Sequence, residues 1–197
     1  KTTDDLKQLY KQRVDDLTRQ VINEVGNTQT DLSLKLGGIS KSATPTEFNF
    51  DVLDFGQKSK LISNLSLFKI LKSDGSILYP FVPFQSEQQK NSERQLLRSL
   101  RATHNGFGLT QQDTLLYLVK IDSISNHFLV GGVPIGNEFL RELVGDSGIE
   151  ASIVGKGFAL SSSRELEDQL TNVGLNNLSS PEMAIDHDLY LVENEFF

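Results

Sequence analysis

Apolar residues in the first part of the chain recur with a helical period. Leu6, Tyr10, Val14, Leu17, Val21 and Val25 are separated by 4, 4, 3, 4 and 4 positions, which keeps them on one face of a helix. Lys, Arg, Asp and Gln fill the other faces, and Asp4 and Asp5 stand near the start, where the helix dipole favours carboxylates. Gly26 and Asn27 weaken the middle of the pattern. Leu32, Leu34 and Leu36 carry it on to Gly37-Gly38, which read as its stop. Unbroken, such a helix is ~50 Å long at about 1.5 Å per residue.

Beyond Gly38 the period changes. Residues 39–49 are polar and contain Pro45, as a connector does, and Phe48, Phe50, Val52, Leu53 and Phe55 form an apolar cluster suited to the base of a core. A short helix is expected over Lys58–Leu65. Leu67–Leu71 reads as a strand, Asp74-Gly75 as a two-residue hairpin turn, and Ile77–Tyr79 as the return strand ended by Pro80 and Pro83. Ser86–Thr103 is polar with Leu96, Leu97 and Leu100, a helix; His104–Gln112 is a glycine-containing loop or irregular strand.

A second hairpin follows. Thr114–Ile121 and Phe128–Val133 are apolar runs around the polar Asp122–Asn126. Asn137 is the expected N-cap of a helix carrying Phe139, Leu140, Leu143 and Val144, with Gly145 and Gly148 as its stop. Ile149–Val154, the turn Gly155-Lys156-Gly157 and Phe158–Ser161 predict a third hairpin. Arg164–Leu170 reads as a short helix and Asn172–Pro181 as a loop. Leu189 and Leu191 alternate with Tyr190 and Val192 in a last strand. Hairpins interrupted by helices give an α+β fold with an antiparallel sheet, and the strands between Leu67 and Leu160 are expected to share it.

With 197 residues and 38% hydrophobic content, the chain is long and apolar enough for one large domain, or a domain plus a long helix. A net charge of −7 with no compact basic patch speaks against nucleic acid or an anionic membrane surface as partner. The absence of cysteine removes disulfide, thiol-nucleophile and thiolate–zinc chemistry. No run is long and apolar enough to span a bilayer, and no signal peptide is visible. The chain opens on Lys1 rather than Met, and the expectation is a piece of a longer protein, such as a soluble domain between two membrane spans.

Catalytic constellations are weak. His104, His127 and His187 stand in no metal-binding spacing, although Asp186 and Asp188 flank His187. Ser161-Ser162-Ser163 has no nucleophile-elbow glycines around it. Gly106/Gly108, Gly131/Gly132 and Gly155/Gly157 complete no phosphate-binding motif and read as turn glycines. No catalytic residue, metal or cofactor is expected.

The string LVGGVPIGNEFLRELVGDSGIEASIVGKGFALSSS resembles the Cache group of bacterial extracytoplasmic sensor domains. Gly132, the Phe139-Leu140 pair, Leu143 and Gly148 carry the likeness, which extends over roughly Leu67 to Ser163. It implies a PAS-like antiparallel sheet with flanking helices. On this reading residues 1–38 are a long, membrane-proximal helix that pairs with a second copy, and residues 39–197 are the sensor domain. The function implied is ligand sensing in the periplasm, without catalysis. The parent is then an inner-membrane histidine kinase, chemoreceptor or cyclic-dinucleotide enzyme.

In such domains a small ligand sits between the sheet and the helix and loops that cover it. Candidates here are Tyr79, Arg98, Arg101, His104, Tyr117 and Lys120. Guanidinium and tyrosine hydroxyl suit a carboxylate, so an organic acid or other small anion is the expected ligand. The arginine, tryptophan and aspartate pattern of amino-acid-binding Cache receptors is absent, the chain having no Trp. Two other readings are a periplasmic protein-interaction module with no small ligand and a soluble enzyme of unrecognised motif.

Overall fold

The computed structural model describes residues 3–43, 51–112, 115–145, 150–155, 158–162, 182–185 and 188–191. Helix α1, Thr3–Ser42, is one continuous helix. It runs through Gly26 and past the stop expected at Gly37-Gly38. The reason lies on its apolar face: Leu32, Leu36 and Ile39 are buried on either side of the glycines. Burying three such side chains is worth roughly 1.5–3 kcal/mol each, more than the ~1 kcal/mol by which a glycine disfavours helix.

The chain divides into two compact units, Gly26–Ile135 and Lys1–Val25 with Gly136–Phe197, so α1 contributes to both. The first is built on a five-stranded, wholly antiparallel sheet. Its strands are β1 (Leu67–Lys72), β2 (Ile77–Tyr79), β3 (Phe107–Gln112), β4 (Leu115–Ile124) and β5 (His127–Ile135), in the order β2-β1-β5-β4-β3. The Asp74-Gly75 turn is where expected, with Gly75 at φ +85°. The β4–β5 turn is tighter than expected: β4 continues to Ile124, and Ser125-Asn126 alone reverse the chain.

Each face of this sheet has its own cover. On one face α1 lays Leu32, Leu36 and Ile39 against Phe68, Ile70 and Leu129. Helix α2, Val52–Ser63, adds Val52 and Phe55 to the same cluster; it begins at the N-cap Asp51, ahead of the start expected at Lys58. The approach of α1 is close at Gly131, where a Cβ would lie 2.9 Å from Leu36 Cδ2 and 2.8 Å from Leu65 Cδ1. On the other face helix α3, Glu87–Ala102, lays Leu97 and Leu100 against Leu67, Leu71, Val119 and Val130. A capping box opens α3: Ser86 Oγ accepts from Gln89 N, and Gln89 Oε1 accepts from Ser86 N.

In the second unit helix α4, Asn137–Val144, begins without a side-chain cap, Gly136 rather than Asn137 holding the N-cap position, and ends at Gly145 as expected. Hairpin β6 (Ser152–Gly155) and β7 (Phe158–Ser161) opens on the reciprocal pair Ser162 N→Ala151 O and Ala151 N→Ser162 Oγ. Strands β8 (Glu182–Ile185) and β9 (Asp188–Leu191) form a further hairpin. The expectation that β6 and β7 join the main sheet is corrected. Both edges of β5, the strand they follow, are taken by β1 and β4, and among the described residues β6 pairs with β7 alone. The expected helix Arg164–Leu170 and loop Asn172–Pro181 lie outside the described residues.

Candidate functional site

The site is best built from β1. In Leu67-Phe68-Lys69-Ile70-Leu71 every second side chain meets the same face of the sheet. Leu67 and Leu71 pack beneath α3, and Lys69 stands between them. On α3, Glu93 lies one turn before Leu97 and two before Leu100, on the face that meets the sheet. Lys69 Nζ donates to Glu93 Oε1 at 2.5 Å, and both side chains are about nine-tenths shielded, at 14% and 13% exposure. The other carboxylate oxygen, Glu93 Oε2, is buried and accepts no hydrogen bond from the described residues.

The pair borders a groove of about 650 Å³ between the first half of α3 and the β1–β2 edge, broadly open to solvent and lined also by Gln112 of β3. Ile77, Pro80 and Val82 give it an apolar wall; Ser86, Gln89 and Ser92 give it a polar one. The wall after β2 is held by a side chain acting as a strand. Gln85 Oε1 accepts from Ile77 N at 2.9 Å and Gln85 Nε2 donates to Gly75 O at 3.0 Å, which pairs the first amide of β2 and a carbonyl of the turn before it. The Tyr79–Pro80 peptide is cis.

The six residues expected from the sequence do not converge. Tyr79 packs on the α1–α2 side, its ring 5.9 Å from that of Phe68 and against Gly56 of α2. Tyr117 lies on the opposite face, with the cluster under α3. Lys120 donates to Asn105 O at 3.0 Å and sits 4.5 Å from the Phe107 ring centroid, on the α1 side. Arg101 is exposed, its guanidinium 5.4 Å from the Phe128 ring centroid. Arg98 and His104 are exposed. None of the six lines the cavity. Among the described residues no group of His, Asp and Glu is arranged to hold a metal, and no helix is long and apolar enough to cross a membrane. His187 lies outside the described residues.

No protein-family model and no curated protein matches the chain. Solved structures do. The ligand-binding domain of the Campylobacter jejuni chemoreceptor Tlp3 in complex with L-valine superposes with a TM-score of 0.57 at 12% identity, over 93% of this chain and 88% of that one. The sensory domain of the same receptor with isoleucine bound gives 0.53 at 14%, over 82% and 76%. Its complex with 4-methylisoleucine gives 0.52 at 14%, over 77% and 68%. The fold is the Cache-type, PAS-like sensor fold.

Within that Cache fold the two residues that sequence reasoning passed over are Lys69 and Glu93. The signal for Lys69 was present: a lone charge at an inward position of an otherwise apolar strand. Glu93 had a weaker one, its spacing of four and seven from Leu97 and Leu100.

Proposed function

We propose that this chain is the extracytoplasmic ligand-sensing domain of a bacterial transmembrane signalling protein, and that it performs no catalysis itself. The observation that carries the reading is the cavity beneath α3, with an ion pair in its wall and apolar side chains opposite. The ligand-binding character of the Tlp3 domains that share the fold supports it. A small molecule bound there biases the position of α3 against β1, and thereby the state of the domain. The output partner is a histidine kinase, a chemoreceptor module or a cyclic-dinucleotide enzyme. The exposed start of α1, with Leu6 and Tyr10 at 43% and 51% exposure, meets the same helix of a second copy in this reading.

The test is a thermal-shift screen of amino acids, organic acids and other small metabolites, repeated on Val82→Trp, which fills the cavity. A ligand of this site raises the melting temperature of the parent by mass action and leaves Val82→Trp unmoved. Equal shifts in both proteins move the site elsewhere. Sedimentation of Tyr10→Asp beside the parent tests the helix pairing; identical masses at high concentration remove it.

A second reading is that of a protein-interaction module. Phe81 and Phe84, at 69% and 83% exposure in the loop after β2, favour it. A screen without a hit, together with a partner captured by the parent and lost on Phe84→Ser, decides for it.

A further inference from the structure

The two edges of the main sheet are finished differently. β2 is three residues long, and the Gln85 side chain pairs its first amide. β3, at the other edge, is six residues long, Phe107-Gly108-Leu109-Thr110-Gln111-Gln112, and among the described residues it pairs with β4 alone. It carries no charge, no proline and no bulge, the devices that keep an edge from pairing with another chain. Leu109 is 41% exposed, and Gln111 and Gln112 are exposed beside it.

The register fixes which backbone groups of β3 point outward. Ile121 N donates to Gly106 O at 2.9 Å, so Gly106 and Ile121 form a hydrogen-bonded pair. Bonding alternates along an antiparallel ladder, and Gly108, Thr110 and Gln112 therefore turn their amides and carbonyls to Val119, Tyr117 and Leu115. Phe107, Leu109 and Gln111 turn theirs away from β4, to the outside of the sheet. Their side chains share the α1 face: a Cβ on Gly108 would meet Leu100 of α3, whereas Phe107 packs against the α1 cluster.

We propose that β3 is an interface for β3 of a second copy of this chain, paired antiparallel about a twofold axis at Leu109. In this register Leu109 faces the partner's Leu109 and Phe107 faces the partner's Gln111. All are hydrogen-bonding positions, so each outward amide and carbonyl meets its complement. The two leucines lie on the same face of the joined sheet and cover each other's exposed side. The strand fits itself better than it fits a foreign one, because the register is complete and the same apolar residue stands on both sides of its centre. It is also uncharged, whereas a net charge of −7 on each chain opposes contact between copies. One six-residue ladder is a small contact beside the ~1,200–2,000 Å² that stable interfaces bury, so the pairing depends on concentration. It uses no residue of the α1 pairing proposed above.

The test is run on the whole chain carrying Tyr10→Asp, so that pairing through α1 does not obscure it. Amide hydrogen exchange is followed residue by residue at low and high protein concentration. Exchange at Phe107, Leu109 and Gln111 is expected to slow by roughly threefold or more at high concentration, with Gly108 and Thr110 unchanged. Sedimentation then probes the axis. Leu109→Lys sets like charges face to face and abolishes the association, and Leu109→Glu does the same. An equimolar mixture of the two restores it, because the twofold brings position 109 against itself. Gln111→Pro removes an outward amide while leaving the β4 ladder intact, and gives the same loss without adding charge. Circular dichroism and melting temperature confirm that each variant is folded. Edge amides that exchange at one rate across the concentration range overturn the pairing: fast exchange leaves the edge for a foreign strand, and slow exchange means that the chain covers it itself. Association that survives Leu109→Lys and Gln111→Pro overturns it as well, as does a mixture that associates no better than its components. The sensing reading, which rests on the groove beside α3, stands apart from all these outcomes.

Discussion

Arg94 donates from both Nε and Nη2 to the carbonyl oxygen of Asp74, at 3.2 and 2.9 Å. This fastens α3 to the β1–β2 turn at one end of the cavity. Beside it Gly75 leaves no room for a side chain, because a Cβ there would collide with the Lys90 carbonyl, and its φ of +85° disfavours other residues independently. Gly75→Ala is therefore expected to destabilise the domain by about 2 kcal/mol or more, read from urea denaturation. Arg94→Ala loses these two hydrogen bonds and a third, from Nη1 to Asn91 Oδ1, at a partly exposed site, and is expected to cost about 1 kcal/mol. Equal and negligible effects would mean that the turn is not docked.

Gly131 is the point at which α1 comes down on the sheet. Gly131→Ala places a methyl group against Leu36 and Leu65, both buried. The expected cost is about 1–3 kcal/mol, from overpacking rather than from backbone conformation. Shortening Leu36 to Ala in the same protein relieves the clash, so the double variant is expected to lose less than the sum of the singles. Additive losses would show that the two do not meet.

A contrast within α1 tests which face is core. Leu32 is fully buried and Leu34 is 71% exposed, two positions apart. Leu32→Ala is expected to cost about 3 kcal/mol and Leu34→Ala within about 0.5 kcal/mol. Comparable melting temperatures for the two variants would contradict the placement.

How far this was legible beforehand differs by element. The Asp74-Gly75 turn, the Ser86 start of α3 and the Gly145 end of α4 were visible because each rests on local chemistry: a φ that only glycine tolerates easily, a hydroxyl facing a free N–H, a helix with nowhere to continue. Gly37-Gly38 misled because propensity is a local quantity, whereas the burial of Leu36 and Ile39 that overrides it is tertiary. The pairing of β6 with β7 alone was also beyond local signals, since it depends on which edges other strands have taken. The cavity was the least legible part. Arginines drew attention by number, whereas the shielded charges in the groove wall are one lysine and one glutamate whose sequence neighbours are apolar or polar rather than basic.

His127 gives the domain a pH dependence of definite sign. It opens β5 opposite Lys72, and burial first, then the Lys72 charge, lowers its pKa below the ordinary value of 6.5. The unfolded chain therefore binds this proton more readily than the folded one. The stability that the neutral imidazole allows is complete above about pH 6.5 and is lost as pH falls through the lowered folded value. Denaturant titrations from pH 7.5 downward should show this loss, and His127→Gln should flatten it. An unchanged slope in the variant would assign the effect to other groups.

The glycines inside α1 bear on how that helix behaves as a mechanical part. Gly26, Gly37 and Gly38 have open space where a side chain would begin, so no close contact calls for their smallness. Alanine at each would make a stiffer rod. Instead the compliant positions bracket the segment that Leu32 and Leu36 fasten to the sheet. Bending of the helix is easiest at Gly26 and at Gly37-Gly38, beside the seated turns rather than within them. Such a helix is jointed at both ends of its seated segment and stiff within it.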